Sequence, residues 1–153
     1  MRRKDKQVTD RNVLDEILRE GELVHLALFD GENPYALCMN YGYDGKALYL
    51  HGAKQGRKMD IFAAHPKVSF NVVLDYQMIK NEDAGEFTSH FRSVVGEGHV
   101  EVLENLEDKR YGLDVLMASC APGEDYDYGD QLVARTAVMR IVIDSLDGKI
   151  SGY

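Results

Sequence analysis

A histidine followed six residues later by an arginine–lysine pair, with glycines between, is the most chemically suggestive run in this chain: His51-Gly52-Ala53-Lys54-Gln55-Gly56-Arg57-Lys58. Arg57 and Lys58 open the segment Met59-Asp60-Ile61-Phe62-Ala63-Ala64, whose apolar spacing predicts a short helix ending before His65-Pro66. A helix start carrying two cations draws anions through its free amides, its dipole and its full charges together. That is how a phosphate site is built. Upstream, Tyr35, Leu37 and Met39 alternate with Ala36, Cys38 and Asn40, then Tyr43-Asp44-Gly45-Lys46 has turn chemistry, and residues 47–50 resume an apolar, β-favouring run. The expectation is a hairpin pairing 35–40 with 47–50, which delivers His51 and the cations to the helix.

The other nucleotide and metal patterns fail on inspection. Gly96-Glu97-Gly98 begins like a dinucleotide fingerprint but lacks the third glycine and runs from one β-like stretch into another, not into a helix. Gly148-Lys149 has no upstream phosphate-loop glycine in register. Asp125, Asp127 and Gly129 lack the later ligands of a calcium loop. His25, His65, His90 and His99 share no ligand spacing and read as structural, and Cys38 and Cys120 form no Cys-x-x-Cys pair, so no metal is expected.

The elements that must position the cations follow from periodicity. Thr9 caps a helix over 10–20 with Val13, Leu14, Ile17 and Leu18 on one face and Gly21 as its stop. Residues 23–29 read as a strand, 30–34 as a turn, 68–74 as a second strong strand and 79–89 as a polar loop. A long β run covers 90–103, with Gly96 and Gly98 marking a bend or bulge. The period then changes: Leu106, Leu113, Leu116, Met117 and Cys120 predict the main packing helix over 104–120. An acidic, tyrosine-bearing loop over 121–131 precedes a last strand over 133–143. Six or so strands with three helices favour a small, mainly β, α+β barrel over a doubly wound sheet.

Composition bounds the function classes. With 153 residues, 44% of them hydrophobic, one domain over 1–153 is expected. A net charge of −8 argues against a nucleic-acid partner, which needs a basic face. No stretch approaches the roughly 20 apolar residues of a membrane span, and no apolar run follows the basic Met1-Arg2-Arg3-Lys4 cluster as in a secretory signal. Unpaired cysteines point to reduced thiols and a cytoplasmic setting.

Four segments in order, MRRKDKQVTD, NYGYDGKALYLHGAKQGRKMD, FRSVVGEGHVEVLENLEDK and RIVIDSLDGKISGY, resemble the pyridoxamine 5′-phosphate oxidase-like flavin-binding proteins, and within them the nitroimidazole-resistance (Nim) type. The resemblance implies an FMN-binding split β-barrel with flanking helices, FMN at a homodimer interface and a flavin-dependent oxidoreductase acting on a small electron-poor acceptor such as a 5-nitroimidazole. FMN presents a phosphate dianion, a ribityl chain and a flat ring. By resemblance Arg57 and Lys58 hold the phosphate, and Ser93 approaches the cofactor from a neighbouring strand. Cys38, Met39 and Asn40 line the ring through their backbone, Leu50, His51 and Gly52 face ring and ribityl chain, and Tyr41 lies nearby. His51 is the candidate catalytic residue.

Each assignment has a plainer rival. Arg57-Lys58 alone reads as a solvated helix start, His51 as a hydrogen-bonded structural histidine, and Cys38 and Met39 as strand packing. Glu124, Asp125, Asp127 and Asp130 read as solvated, with Tyr126 and Tyr128 as a conceivable cover for the flavin. Two further classes stay open: a non-catalytic flavin-binding or storage protein, and a haem-binding split barrel with His51 or His99 as axial ligand.

Overall fold

The computed structural model describes residues 3–152; Met1, Arg2 and Tyr153, which fall within the resembling segments, lie outside it. After a 3₁₀ turn at Lys4–Lys6 come β1 (Gln7–Val8), α1 (Arg11–Glu20), β2 (Leu23–Phe29), β3 (Pro34–Asn40), β4 (Gly42–Tyr43) and β5 (Ala47–Gly52). Then follow α2 (Arg57–Ala64), β6 (Lys67–Ile79), a second 3₁₀ turn at Ala84–Glu86, β7 (Thr88–Leu103), α3 (Leu106–Cys120), α4 (Asp130–Arg135) and β8 (Ala137–Ser151).

The strands hydrogen-bond in the order β3-β2-β6-β7-β8-β5-β4, with β1 on β8. One end of this path, β3, stops at Asn40, and the other, β4, starts at Gly42. A single residue, Tyr41, therefore joins the two edges, and the sheet has to curl until they meet. No ladder closes them, so the α+β fold is a split β-barrel, its split running between β3 and the β4–β5 edge. This corrects the expected hairpin: β3 pairs with β2 from Leu23↔Asn40 to Phe29↔Pro34, while β5 pairs with short β4 through Gly42↔Tyr49 and with β8 through Gly52↔Ala137. The turn itself forms as its residues predict, since Asp44 Oδ1 accepts from the amides of Lys46 and Ala47, and Gly45 takes φ +93°. What alternation could not show is which strand each side of that turn would pair with.

Barrel interior and exterior follow the period of two. Along β2 the residues alternate exposed and buried throughout, Val24, Leu26 and Leu28 facing inward. They meet Phe70 and Val72 of β6, Val94 of β7, Leu48 and Leu50 of β5, and Met139 and Ile141 of β8. α1 adds Leu14, Ile17 and Leu18, and α2 adds Ile61 and Phe62. The first cap is Asp10, whose carboxylate accepts from Asn12 N–H, one residue after the expected Thr9. Gly21 ends α1 without a left-handed backbone; its Cβ would stand 2.6 Å from Val72 Cγ1, so close packing demands it. Arg92 clamps α1 to the sheet, its guanidinium reaching Glu16 and Glu20 of α1 and Asp75 at the β6 irregularity, where Asp75 has φ +55°. The register slip expected at Gly96–Gly98 falls between Glu97 and Gly98 against β8.

A second cluster lies outside the barrel wall, where Ala47, Tyr49 and Val138 meet Leu103, Leu113 of α3 and Val133 of α4. Helix α4 and the continuation of β8 to Ser151 replace the expected loop to 131 and strand over 133–143. Six residues are enough to form α4 because α3 receives it. Of the expected α3 positions Leu113 and Leu116 are buried, while Leu106 and Cys120 are exposed; Lys109 is buried beside them and donates to the carbonyls of Thr136 (2.9 Å), Val133 and Ala134. A cation there satisfies carbonyls the α4 C-terminus leaves open. Lys109→Met is expected to lower stability by about 3 kcal/mol, because it leaves buried carbonyls without a donor; chemical denaturation measures it, and a change below about 1 kcal/mol would refute the role.

Candidate functional site

Helix α2 begins astride the split. Its N-cap is Gly56, at φ +114° with nothing within 4 Å of where a Cβ would stand, and no side chain caps the helix. The amides of Met59 and Asp60 return to the Gly56 carbonyl, which leaves those of Arg57 and Lys58 as the free donors of the first turn. Arg57 leans to one side of the split: its Nη2 lies 2.9 Å from Asp30 Oδ2 and its guanidinium 4.5 Å over the Tyr35 ring of β3. Lys58 leans to the other, its Nζ 3.1 Å from the position a Gly52 Cβ would take at the end of β5. Met39 Cε of β3 comes within 3.9 Å of that same position. Strand β3, strand β5 and the cationic helix start therefore converge on Gly52, where any side chain would crowd the lysine.

Electrostatically the cradle is positive and restrained by one carboxylate. Asp30 is held down to about 2 by the amides of Asn33 and Glu32 and by the Arg57 guanidinium. Its folded value lies below the ordinary carboxylate range, so the stabilising charge is present above about pH 4 and lost as pH falls through about 2. A carboxyl-carbon NMR titration of Asp30 is expected to show a midpoint near that lower value; a midpoint of about 4 would mean the Asp30–Arg57 tether is absent in solution.

The remaining sequence candidates separate by face. Met39 points inward with Val24, while Cys38 and Asn40 lie on the outer face, opposite His25 and Leu23. Asn40 Nδ2 donates to Glu22 O. Strand β3 bonds to β2 alone, so its other edge keeps free backbone groups beside the cradle. Leu50 is fully buried and offers only backbone, and Tyr41 is committed to the core, its hydroxyl donating to Leu18 O at 2.7 Å. His51 is exposed on the face of β5 opposite Gly52, across from Val138. Ser93 is not on a strand neighbouring β3 or β5: it sits on β7, buried, with Oγ on Lys149 O, ten residues before Leu103 and so roughly 33 Å along the strand. Asp30 and Tyr35, which orient Arg57, are not among the sequence candidates; the Asp-Gly-Glu-Asn turn is legible in the chain, its proximity to residue 57 is not.

Two features stand apart from the cradle. The 121–129 loop and α3 enclose a cavity of about 640 Å³ lined by Asp114, Met117, Tyr126 and Tyr128, with no lining residue from β3, β5 or α2. His65 stacks edge-on to Phe29 at 6.4 Å, and His99 stands 3.6 Å from Glu101 and 3.5 Å from Asp144. Among the described residues no group of three or more His, Cys, Asp or Glu is placed to hold a metal ion, and no helix is long and apolar enough to cross a membrane.

Known proteins share this fold. A candidate 5-nitroimidazole antibiotic resistance protein of Bacteroides thetaiotaomicron superposes with a TM-score of 0.84 at 26% identity, over 94% of this chain and 86% of that one. An FAD and heme binding protein of Mycobacterium smegmatis gives 0.87 at 25% identity, over 97% and 74%. The flavocytochrome Anf3 of Azotobacter vinelandii gives 0.87 at 22%, over 100% and 72%, a likeness of fold. No curated protein matches the chain. The family described as Pyridoxamine 5′-phosphate oxidase matches residues 10–150, and this chain, a split barrel with a cationic helix start at its split, belongs to that family.

Proposed function

We propose that the protein is a flavoprotein that holds FMN across the split of its barrel and reduces small electron-poor acceptors. The observation that carries this reading is the start of α2, which sets Arg57 on one side of the split and Lys58 on the other around uncapped amides. The residues fit the group: a phosphate dianion gains a guanidinium, an ammonium and the two free amides. Gly52 leaves room beside Lys58, and the free edge of β3 offers backbone groups to a flat ring. When bound, the flavin supplies the electron transfer itself. The chain's own residues bind the phosphate, orient the ring along β3 and β5 and cover it with Met39. His51, on the opposite face of β5 from Gly52, serves at most a substrate approaching from outside.

Ser93 supports a homodimer. Own-subunit β3 is three strands away, roughly 14 Å across the sheet. That separation fits the contact from Ser93 implied by the resemblance better to the cofactor of a second copy than to its own. The 5-nitroimidazole acceptor rests on the resistance protein of Bacteroides thetaiotaomicron, and the haem alternative on the flavin and heme binding protein of Mycobacterium smegmatis. For haem the sequence candidates are exposed His51 and half-buried His99, the latter between two carboxylates and away from the cradle. An absorbance spectrum of the purified protein after FMN addition and desalting tests both: retained flavin bands are expected, and an intense Soret band without them would replace FMN by haem. Turnover of a 5-nitroimidazole by the reduced, flavin-loaded protein is expected. Tight FMN binding with no turnover would make it a flavin-storage protein.

A further inference from the structure

We propose that Asp30 and Tyr35 are positioning residues of the phosphate cradle: they set the Arg57 guanidinium in place before a ligand arrives, which makes the turn between β2 and β3 a working part of the site. The identity of the ligand as FMN rests on the flavin reading; the clamp on Arg57 does not.

An arginine at the surface samples many rotamers, and freezing one on binding costs affinity. The Arg57 side chain is 52% exposed, yet it carries two restraints. Nη2 donates to Asp30 Oδ2 at 2.9 Å, and the guanidinium carbon lies 4.5 Å from the centre of the Tyr35 ring. The carboxylate holds one edge of the guanidinium plane and the ring holds its face. Nε and Nη1 carry no hydrogen bond among the described residues, so the rest of the fork stays open to an anion.

The restraints are themselves anchored. Asp30 Oδ1 accepts from the amides of Glu32 (3.0 Å) and Asn33 (2.7 Å), and the Asp30 amide donates to Asn33 O at 3.1 Å. Tyr35 is held in the β3 ladder opposite Leu28. Gly31, at φ +99°, would set a Cβ 2.9 Å from Nε2 of His65, the residue that ends α2 and meets Phe29 edge-on. The turn therefore touches α2 at its first residue and at its C-cap. Closing the turn needs Oδ1 alone; Oδ2, the oxygen the turn does not use, is the one that takes Arg57. Stability does not account for that contact, since a surface pair of this kind adds little.

Two opposed effects of Asp30 make its sign a test. As a charge beside a phosphate it repels, so removing it would tighten binding; as a positioning group it holds Arg57, so removing it weakens binding. Fluorescence titration with FMN and with riboflavin, which lacks the phosphate, together with calorimetric titration of inorganic phosphate, compares the parent with Asp30→Asn, Tyr35→Phe and Tyr35→Leu. Asparagine keeps an oxygen for the turn amides and puts an amino group where Oδ2 faced Arg57. FMN and phosphate are expected to bind Asp30→Asn about tenfold more weakly than the parent. Tyr35→Phe keeps the aromatic face and should match the parent, whereas Tyr35→Leu should lose about fivefold. Riboflavin affinity and melting temperature should stay near the parent's in all three. Unchanged or tighter FMN and phosphate binding by Asp30→Asn, or equal affinities in the two Tyr35 variants, overturns the proposal. Riboflavin affinity falling in step with FMN assigns both residues to the fold alone and overturns it too. A parent that binds phosphate with this order of variants but binds no FMN refutes the flavin reading and leaves the clamp standing; a parent that binds neither removes both.

Discussion

Replacing Arg57 and Lys58 together by Ala is expected to weaken FMN binding about a thousandfold. Each cation–phosphate contact contributes about 2 kcal/mol when charge-assisted, so losing both costs about 4 kcal/mol of binding. The loss is specific because neither residue supports the core. The Arg57–Asp30 pair lies at the surface, where solvent screens it, so it adds little to stability. The double variant should therefore melt within a few degrees of the parent while flavin fluorescence titration reports the lost affinity. Retention of FMN within tenfold of the parent would sink the cradle as the phosphate site. Arg57→Lys is a finer probe: it keeps the charge but loses the planar fork and the stack on Tyr35, so it should fall between the two.

Gly42→Ala is expected to be strongly destabilising, at about 3 kcal/mol, or a fall in melting temperature of about 6–12 °C. A Cβ there would lie 2.6 Å from Leu116 Cα and 2.6 Å from the Val115 carbonyl carbon. These are backbone atoms of α3, which cannot rotate away as a side-chain tip does, so the helix must lift from β4 and loosen Leu113 and Leu116. Gly45→Ala, three residues on, is the control. Gly45 has φ +93° but its nearest neighbour is the flexible end of Arg19 at 3.7 Å, so only backbone strain of about 1 kcal/mol is at stake. Equal losses in the two variants would show that conformational freedom, not the α3 contact, is what Gly42 supplies.

Local pattern was enough for most elements. β2 and α2 have the expected bounds, because an apolar, β-favouring run closed by a turn and a Pro-terminated apolar run are each complete within a few residues. Strand β6 runs on past residue 74 to Ile79, since its partner β7 continues to pair with it beyond the irregularity, and no local signal marks where a ladder ends. Helix α4 was illegible for the same kind of reason: its six residues are held by Lys109 and by Arg110, whose guanidinium reaches Tyr128 O and Asp130. Both arginine and lysine look like solvated helix positions until the loop folds back on them.

The candidate site divides along that line. The cationic helix start and the Gly56 before it were determined by the sequence itself, because helix-start chemistry and glycine's freedom act over neighbouring residues, whereas the need for a small residue at Gly52 comes from Lys58 and Met39 converging on it. Tertiary structure alone decided that β3 and β5 are the two lips of a split and not a hairpin, that Asp30 and Tyr35 orient Arg57, and that Ser93 lies far from its own cradle. Strand pairing is chosen by contacts between residues tens of positions apart, and a period of two records only which face each side chain takes, never which neighbour it meets.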